Sequence, residues 1–79
     1  MDRTEYLKLC RNVSVFQKIG GMIKNIPDEL KVRYKNICYY PVEYILSFNK
    51  EQPVHTAVLH DLKANSIIHA ELEKVENYG

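Results

Sequence analysis

Net charge is nearly missing from this chain. Eleven lysines and arginines against ten aspartates and glutamates leave a formal +1 over 79 residues. That balance removes any general electrostatic reason to expect a nucleic acid or an anionic membrane as partner. Cysteine is scarce as well. Cys10 and Cys38 make neither a disulfide framework nor a metal knuckle. One falls in an amphipathic pattern and the other in a strand-like one, so both read as reduced core thiols of a cytosolic protein. The opening Met1-Asp2-Arg3-Thr4-Glu5 is charged and has no apolar run. With no signal peptide, membrane span or lipidation motif to read, the expected location is the cytoplasm. Nucleophile elbow, phosphate loop, HExxH and paired-carboxylate motifs are also lacking, and Gly20-Gly21 alone cradles no phosphate. No enzyme and no cofactor are expected.

What is present describes one small globular domain. An apolar fraction of 46% and a charged fraction of 27% argue against disorder. A chain of this length buries only about 60% of its unfolded surface, leaving little room for a deep substrate cavity. Charge is unevenly spread: residues 1–40 carry +4 and residues 41–79 carry −3.

Asp2 followed by Glu5 reads as a capping box. Behind it Tyr6, Leu9, Cys10 and Val13 recur at i, i+3, i+4 and i+7, predicting a helix over about 3–13 with that stripe buried. Residues 14–30 form either a short helical turn or an irregular segment. Gly20-Gly21 breaks any long helix there, while Val15, Phe16, Ile19, Met22, Ile23 and Ile26 need cover.

Alternation then predicts strands over about 31–34, 38–48, 54–62 and 67–75. Parity sets their registers. Pairing Phe48 with Pro53 sets Leu46 against His55, Tyr44 against Ala57 and Val42 against Leu59; a shift by one would bury Glu43 and Ser47. A three-residue loop at Lys35–Ile37 sets Val32 against Tyr40 on the inner face and Arg33 against Tyr39 on the outer, with a kink or bulge near Pro41. Pairing Leu62 with Ile67 sets Leu59 against Ala70, Ala57 against Leu72 and His60 against His69. The predicted class is α+β: an N-terminal helix on a four-stranded antiparallel meander, open or curled into an SH3-like small barrel. The tail 76–79 is expected to fray.

The outer face so assembled offers three readings. His60 and His69, with Glu43 and Glu71 nearby, have the donor types of a zinc shell, but no cysteine or third histidine completes the set, and no metal is expected. Lys31, Arg33 and Lys35 with Tyr39 would suit a single-stranded nucleic acid, phosphates on the cations and a base on the ring. A protein-binding surface fits the mixture better: Tyr39, Ile45, Thr56 and Val58 form an aromatic and aliphatic centre, and Glu43, His60, His69 and Glu71 rim it.

Two segments carry a resemblance. Val32-x-Tyr34…Tyr39-Tyr40-Pro41-x-x-Tyr44-x-Leu46-Ser47-Phe48 and His55-Thr56-Ala57-x-Leu59-His60-Asp61-Leu62-Lys63-Ala64-Asn65-Ser66 resemble small uncharacterised open reading frames of phages and prophages of Gram-positive bacteria, over residues 30–75. The resemblance implies a host-directed accessory protein that occupies a surface of a nuclease, polymerase or defence protein, anti-CRISPR inhibition included. It assigns no site residues. The expected partner is thus a host or phage protein. Nucleic acid is the alternative, and a homodimer is left open.

Overall fold

Asp2 opens the first helix as its sequence position demands. In the computed structural model, which describes residues 1–79, its carboxylate accepts the Thr4 N–H at 2.9 Å. Glu5 does not close the capping box; its carboxylate accepts from the Asn77 amide at 2.8 Å instead. The helix, α1, runs Arg3–Lys18 and buries Tyr6, Leu9 and Val13 with Cys10 half-buried beside them, so the predicted stripe is the buried one.

α1 continues five residues past the predicted end, because Ser14 and Val15 weaken a helix without stopping it. Gly20 stops it. Its φ of 93° is the left-handed conformation of a Schellman cap, with Gly20 N–H donating to Gln17 and Gly21 N–H to Phe16. A Cβ at Gly20 would meet nothing within 4 Å, so the cost of one is the backbone's. Gly20→Ala is expected to lower stability by about 1–2 kcal/mol, read as a shift in the urea midpoint. Gly21 is needed for a different reason: a Cβ there would come within 2.5 Å of the Phe16 ring. Two single 3-10 turns follow, Ile23–Asn25 and Asp28–Leu30, and they lead Ile26 and Leu30 into the core.

The remaining chain forms one antiparallel sheet: β1 Val32–Tyr34, β2 Ile37–Asn49, β3 Gln52–Asp61, β4 Ile67–Glu71 and β5 Glu76–Asn77, in the spatial order β4-β3-β2-β1-β5. The predicted four-strand meander is therefore present. The sheet stays open because β5 adds to the outside of β1 rather than joining β1 to β4. The tail is thus paired, not frayed: Arg33 donates to the Tyr78 carbonyl at 3.0 Å, and Lys31 and Arg33 sit over the Tyr78 ring. β4 ends at Glu71, four residues short of the predicted end, in a 3-10 turn Leu72–Lys74 that keeps Leu72 and Val75 buried.

Between β2 and β3, Phe48 faces Pro53, Leu46 faces His55 and Tyr44 faces Ala57, as predicted. Between β1 and β2 the loop is one residue shorter than expected. Lys35 and Asn36 (φ 51° and 64°) make a two-residue turn of the I′ kind, so Val32 faces Tyr39. Tyr39 therefore turns inward, and Tyr40 takes the other face. A bulge takes Val42 out of the ladder, so Leu59 faces Pro41 and not Val42 as predicted, and the expected parity returns from Tyr44 onward. The Tyr6 hydroxyl is shared between the carbonyls of Glu43 and Val58 at this bulge, at 3.0 and 2.9 Å.

Between β3 and β4 the register is displaced by two residues: Leu59 faces Ile68, Ala57 faces Ala70, and Val58 faces His69. Asp61 sets this. Its carboxylate accepts the N–H groups of Lys63 (2.7 Å) and Ala64 (3.1 Å), and its own N–H donates to Ser66, closing the loop earlier than predicted. Those two donors hold the Asp61 carboxyl below the usual range. A depressed folded value adds stability above the ordinary carboxyl pKa of about 4 and loses it as pH falls through the folded value. The 62–66 loop is expected to loosen in acid, checked by amide exchange of Lys63 and Ala64 from about pH 6 down to about pH 2.

One apolar cluster joins Tyr6, Leu9 and Val13 of α1 to Ile26, Leu30, Val32, Tyr39, Ala57, Leu59, Ala70, Leu72 and Val75. The molecule is elongated, 42 × 24 × 21 Å. No helix is long and apolar enough to cross a membrane.

Candidate functional site

The length of β2 decides what is left uncovered. Thirteen residues of strand extend about 43 Å, whereas the sixteen residues of α1 reach only about 24 Å. Arg3, at the start of the helix, still lies over the Tyr44 ring at 6.0 Å. Beyond that point β2 and β3 continue as a two-stranded arm closed by the turn Lys50–Glu51, both at positive φ (50° and 67°). Residues 45–56 contain no buried side chain. Leu46 and Phe48, which alternation assigned to the core-facing side, are exposed: 41% and 69% of their surface meets solvent. Pro53 is exposed beside Phe48, and Val54, opposite Ser47, is exposed on the other face. Parity was right and cover was not. The lengths of helix and strand could have signalled this, since even the predicted strand outran the predicted helix.

At the base of the arm Tyr44 and His55 form a stacked cross-strand pair, the Tyr44 hydroxyl bonding His55 Nδ1 at 2.5 Å. An open cavity of about 510 Å³ lies next to it, bordered by Arg3, His55, Leu72, Glu71 and Glu73.

The predicted protein-binding residues are partly brought together. Ile45, Thr56 and Glu71 share one row across β2, β3 and β4, and Glu43, Val58 and His69 the next. Glu43, His69 and Glu71 are exposed, while Ile45 and Thr56 are half-buried. Two residues drop out. Tyr39 and Val58 each expose only 5%; Tyr39 turns inward because of the short Lys35–Asn36 turn, and Val58 is the middle member of its row, between Glu43 and His69. Glu71 is 3.6 Å from Lys74 in a solvated pair that contributes little.

His60 lies beside Tyr40, not His69. Its Nδ1 accepts from the Tyr40 hydroxyl, and its Nε2 donates to Asn65 Oδ1 at 2.9 Å. Burial raises the Tyr40 phenol. Both ring nitrogens are thus engaged, and His69 sits diagonal, opposite Val58. No three His, Cys, Asp or Glu side chains converge where an ion could be held. A shallow cavity of about 270 Å³ separates this row from Cys10, Ser14 and Gln17 of α1. Burial pushes the Cys10 thiol up to about 11 and raises Cys38 as well, so both are protonated at neutral pH.

The basic edge is present but occupied. Lys31 bonds Asp28 at 2.8 Å, which raises its pKa. With Arg33 it flanks Tyr78, while Lys35 lies over Tyr34 at 5.4 Å. Tyr39, the intended base-stacking ring, is buried, so the predicted nucleic-acid surface lacks its platform.

No family model matches the sequence, and neither a curated protein nor a solved structure is significantly similar to it.

Proposed function

We propose that this chain is a non-enzymatic binding module that acts by contact with another protein, through the β2–β3 arm. One observation carries the reading: Leu46 and Phe48, with Pro53 beside Phe48, stand in solvent on one face of an arm that projects past the helix. Contiguous exposed apolar surface of this kind, rimmed by polar groups, is what interfaces present. Around it lie His55, Lys50 and Glu51, with Arg3, Glu71 and Glu73 across the adjoining cavity, a mixed rim that favours a protein over a uniformly charged polymer. The resemblance to phage reading frames supplies the class of partner, a host enzyme or defence protein of the anti-CRISPR target kind.

Affinity capture from a Gram-positive bacterial lysate with the wild type and with Phe48→Ser, followed by mass spectrometry, tests this. A host protein retained by the wild type and reduced tenfold or more by the variant supports the arm. Equal capture by both would refute the arm as the contact, and nothing retained above a tag-only control would refute protein binding.

A further inference from the structure

The arm has a second property that does not depend on that reading: one of its two backbone edges is open. β1 pairs with β2 only over Ile37–Tyr39, so nothing lies beside β2 on that side along the arm. The two-residue turn Lys50–Glu51 makes Asn49 and Gln52 the first hydrogen-bonded pair of the hairpin. Bonded pairs alternate, so Ser47 with Val54 and Ile45 with Thr56 follow. The main-chain N–H and C=O groups of Tyr44, Leu46 and Phe48 then point away from β3. None of them receives a main-chain or side-chain bond from elsewhere in the chain. The opposite edge of the arm is protected differently: Pro53 has no N–H to offer. On the β2 edge the run Glu43–Asn49 contains no proline and no lysine.

We infer that this edge pairs with the same edge of a second copy, antiparallel about a two-fold axis at Leu46. The residues are self-complementary in that register: Leu46 meets its own equivalent, and Tyr44 meets Phe48 of the partner and the reverse. The three residues whose backbone groups are free are the three that face one another. All of those groups are satisfied, by six main-chain hydrogen bonds. The side chains of Tyr44, Leu46 and Phe48 project from one face, so each aromatic ring gains an apolar cross-strand neighbour. Charges agree as well. Glu43 falls opposite Asn49, one residue from the cationic Lys50 of the partner's turn, and no like charges oppose. A register moved two residues toward the tip would leave Tyr44 opposite Lys50 and forfeit two of the six bonds. An edge contact of this length buries on the order of 1,000 Å² in total, the lower end for specific association. The expected dissociation constant is about 10 µM.

Sedimentation equilibrium and amide exchange on the full chain, between about 2 µM and about 200 µM, test the pairing. The expected result is a weight-average mass that rises from near the monomer's toward twice that value over this range. Exchange at Tyr44, Leu46 and Phe48 should slow about fivefold with concentration, while Ile45 and Ser47 do not change. Leu46→Lys, at an already exposed position, should remain folded by far-UV circular dichroism and stay monomeric throughout. Ser47→Lys, whose side chain leaves the opposite face, should still dimerise. A wild type that stays monomeric at about 200 µM would overturn the inference. So would a dimer that Leu46→Lys leaves intact, or protection of these amides only on adding a host protein, which would assign the edge to a foreign strand.

Discussion

Replacing Tyr6 with alanine is expected to leave the chain largely unfolded near 25 °C. Tyr6 is fully buried and joins α1 to the rest of the core. Truncating a buried aromatic ring costs about 3–5 kcal/mol, and a core of this size supplies about 3–5 kcal/mol in all. The hydroxyl matters separately, because it serves the carbonyls of Glu43 and Val58 beside the Val42 bulge. Tyr6→Phe keeps the ring and strands those acceptors, at an expected cost of about 1–3 kcal/mol. Urea titrations of the three proteins should therefore rank wild type above Phe above Ala, and a Phe variant as stable as the wild type would show that the bulge needs no donor. Alkali tests the same group. Burial raises the Tyr6 phenol far above its ordinary value, so the neutral form is the one the fold holds. Its contribution is intact below about pH 10, where unfolded tyrosine ionises, and is lost as pH rises beyond it.

How much of this was legible in the sequence depends on whether each pattern had a competitor. The α1 stripe and the β2–β3 register had none, since any other choice exposes Leu9 or buries Glu43 and Ser47. The β3–β4 register had one. Moving β4 by two residues keeps Leu59 and Ala57 opposite apolar partners, Ile68 and Ala70 instead of Ala70 and Leu72, so hydrophobic pattern cannot choose between them. Asp61 chooses, through two backbone bonds. The β1–β2 register was undecidable for a related reason: Tyr39 and Tyr40 are the same residue type, and Lys35-Asn36 adopts a turn whose usual marker is a glycine at the second position. β5 is two residues long and leaves no periodic trace. The candidate site was legible only in part. Alternation says which face a side chain takes, but not whether anything reaches far enough to cover it.

Leu59 and Phe48 make that distinction measurable. Both are large apolar residues on the face that alternation assigns to the core, in adjacent strands of the same hairpin. Leu59 is fully buried and belongs to the central cluster, whereas Phe48 is 69% exposed at the arm's end. Leu59→Ala is expected to cost about 2–5 kcal/mol, the removed methylenes plus the cavity that the fixed strands cannot close. Phe48→Ala should fall within about 0.5 kcal/mol of the wild type, as for a surface substitution that breaks no special contact. Urea unfolding at a concentration low enough to keep the protein monomeric gives both values. Equal and large losses would mean that the arm's apolar face is folded against the body of the domain, with Phe48 serving the core. A loss confined to Leu59 would mean that Phe48 adds almost nothing to the monomer's stability, as expected if its ring serves contact with another chain.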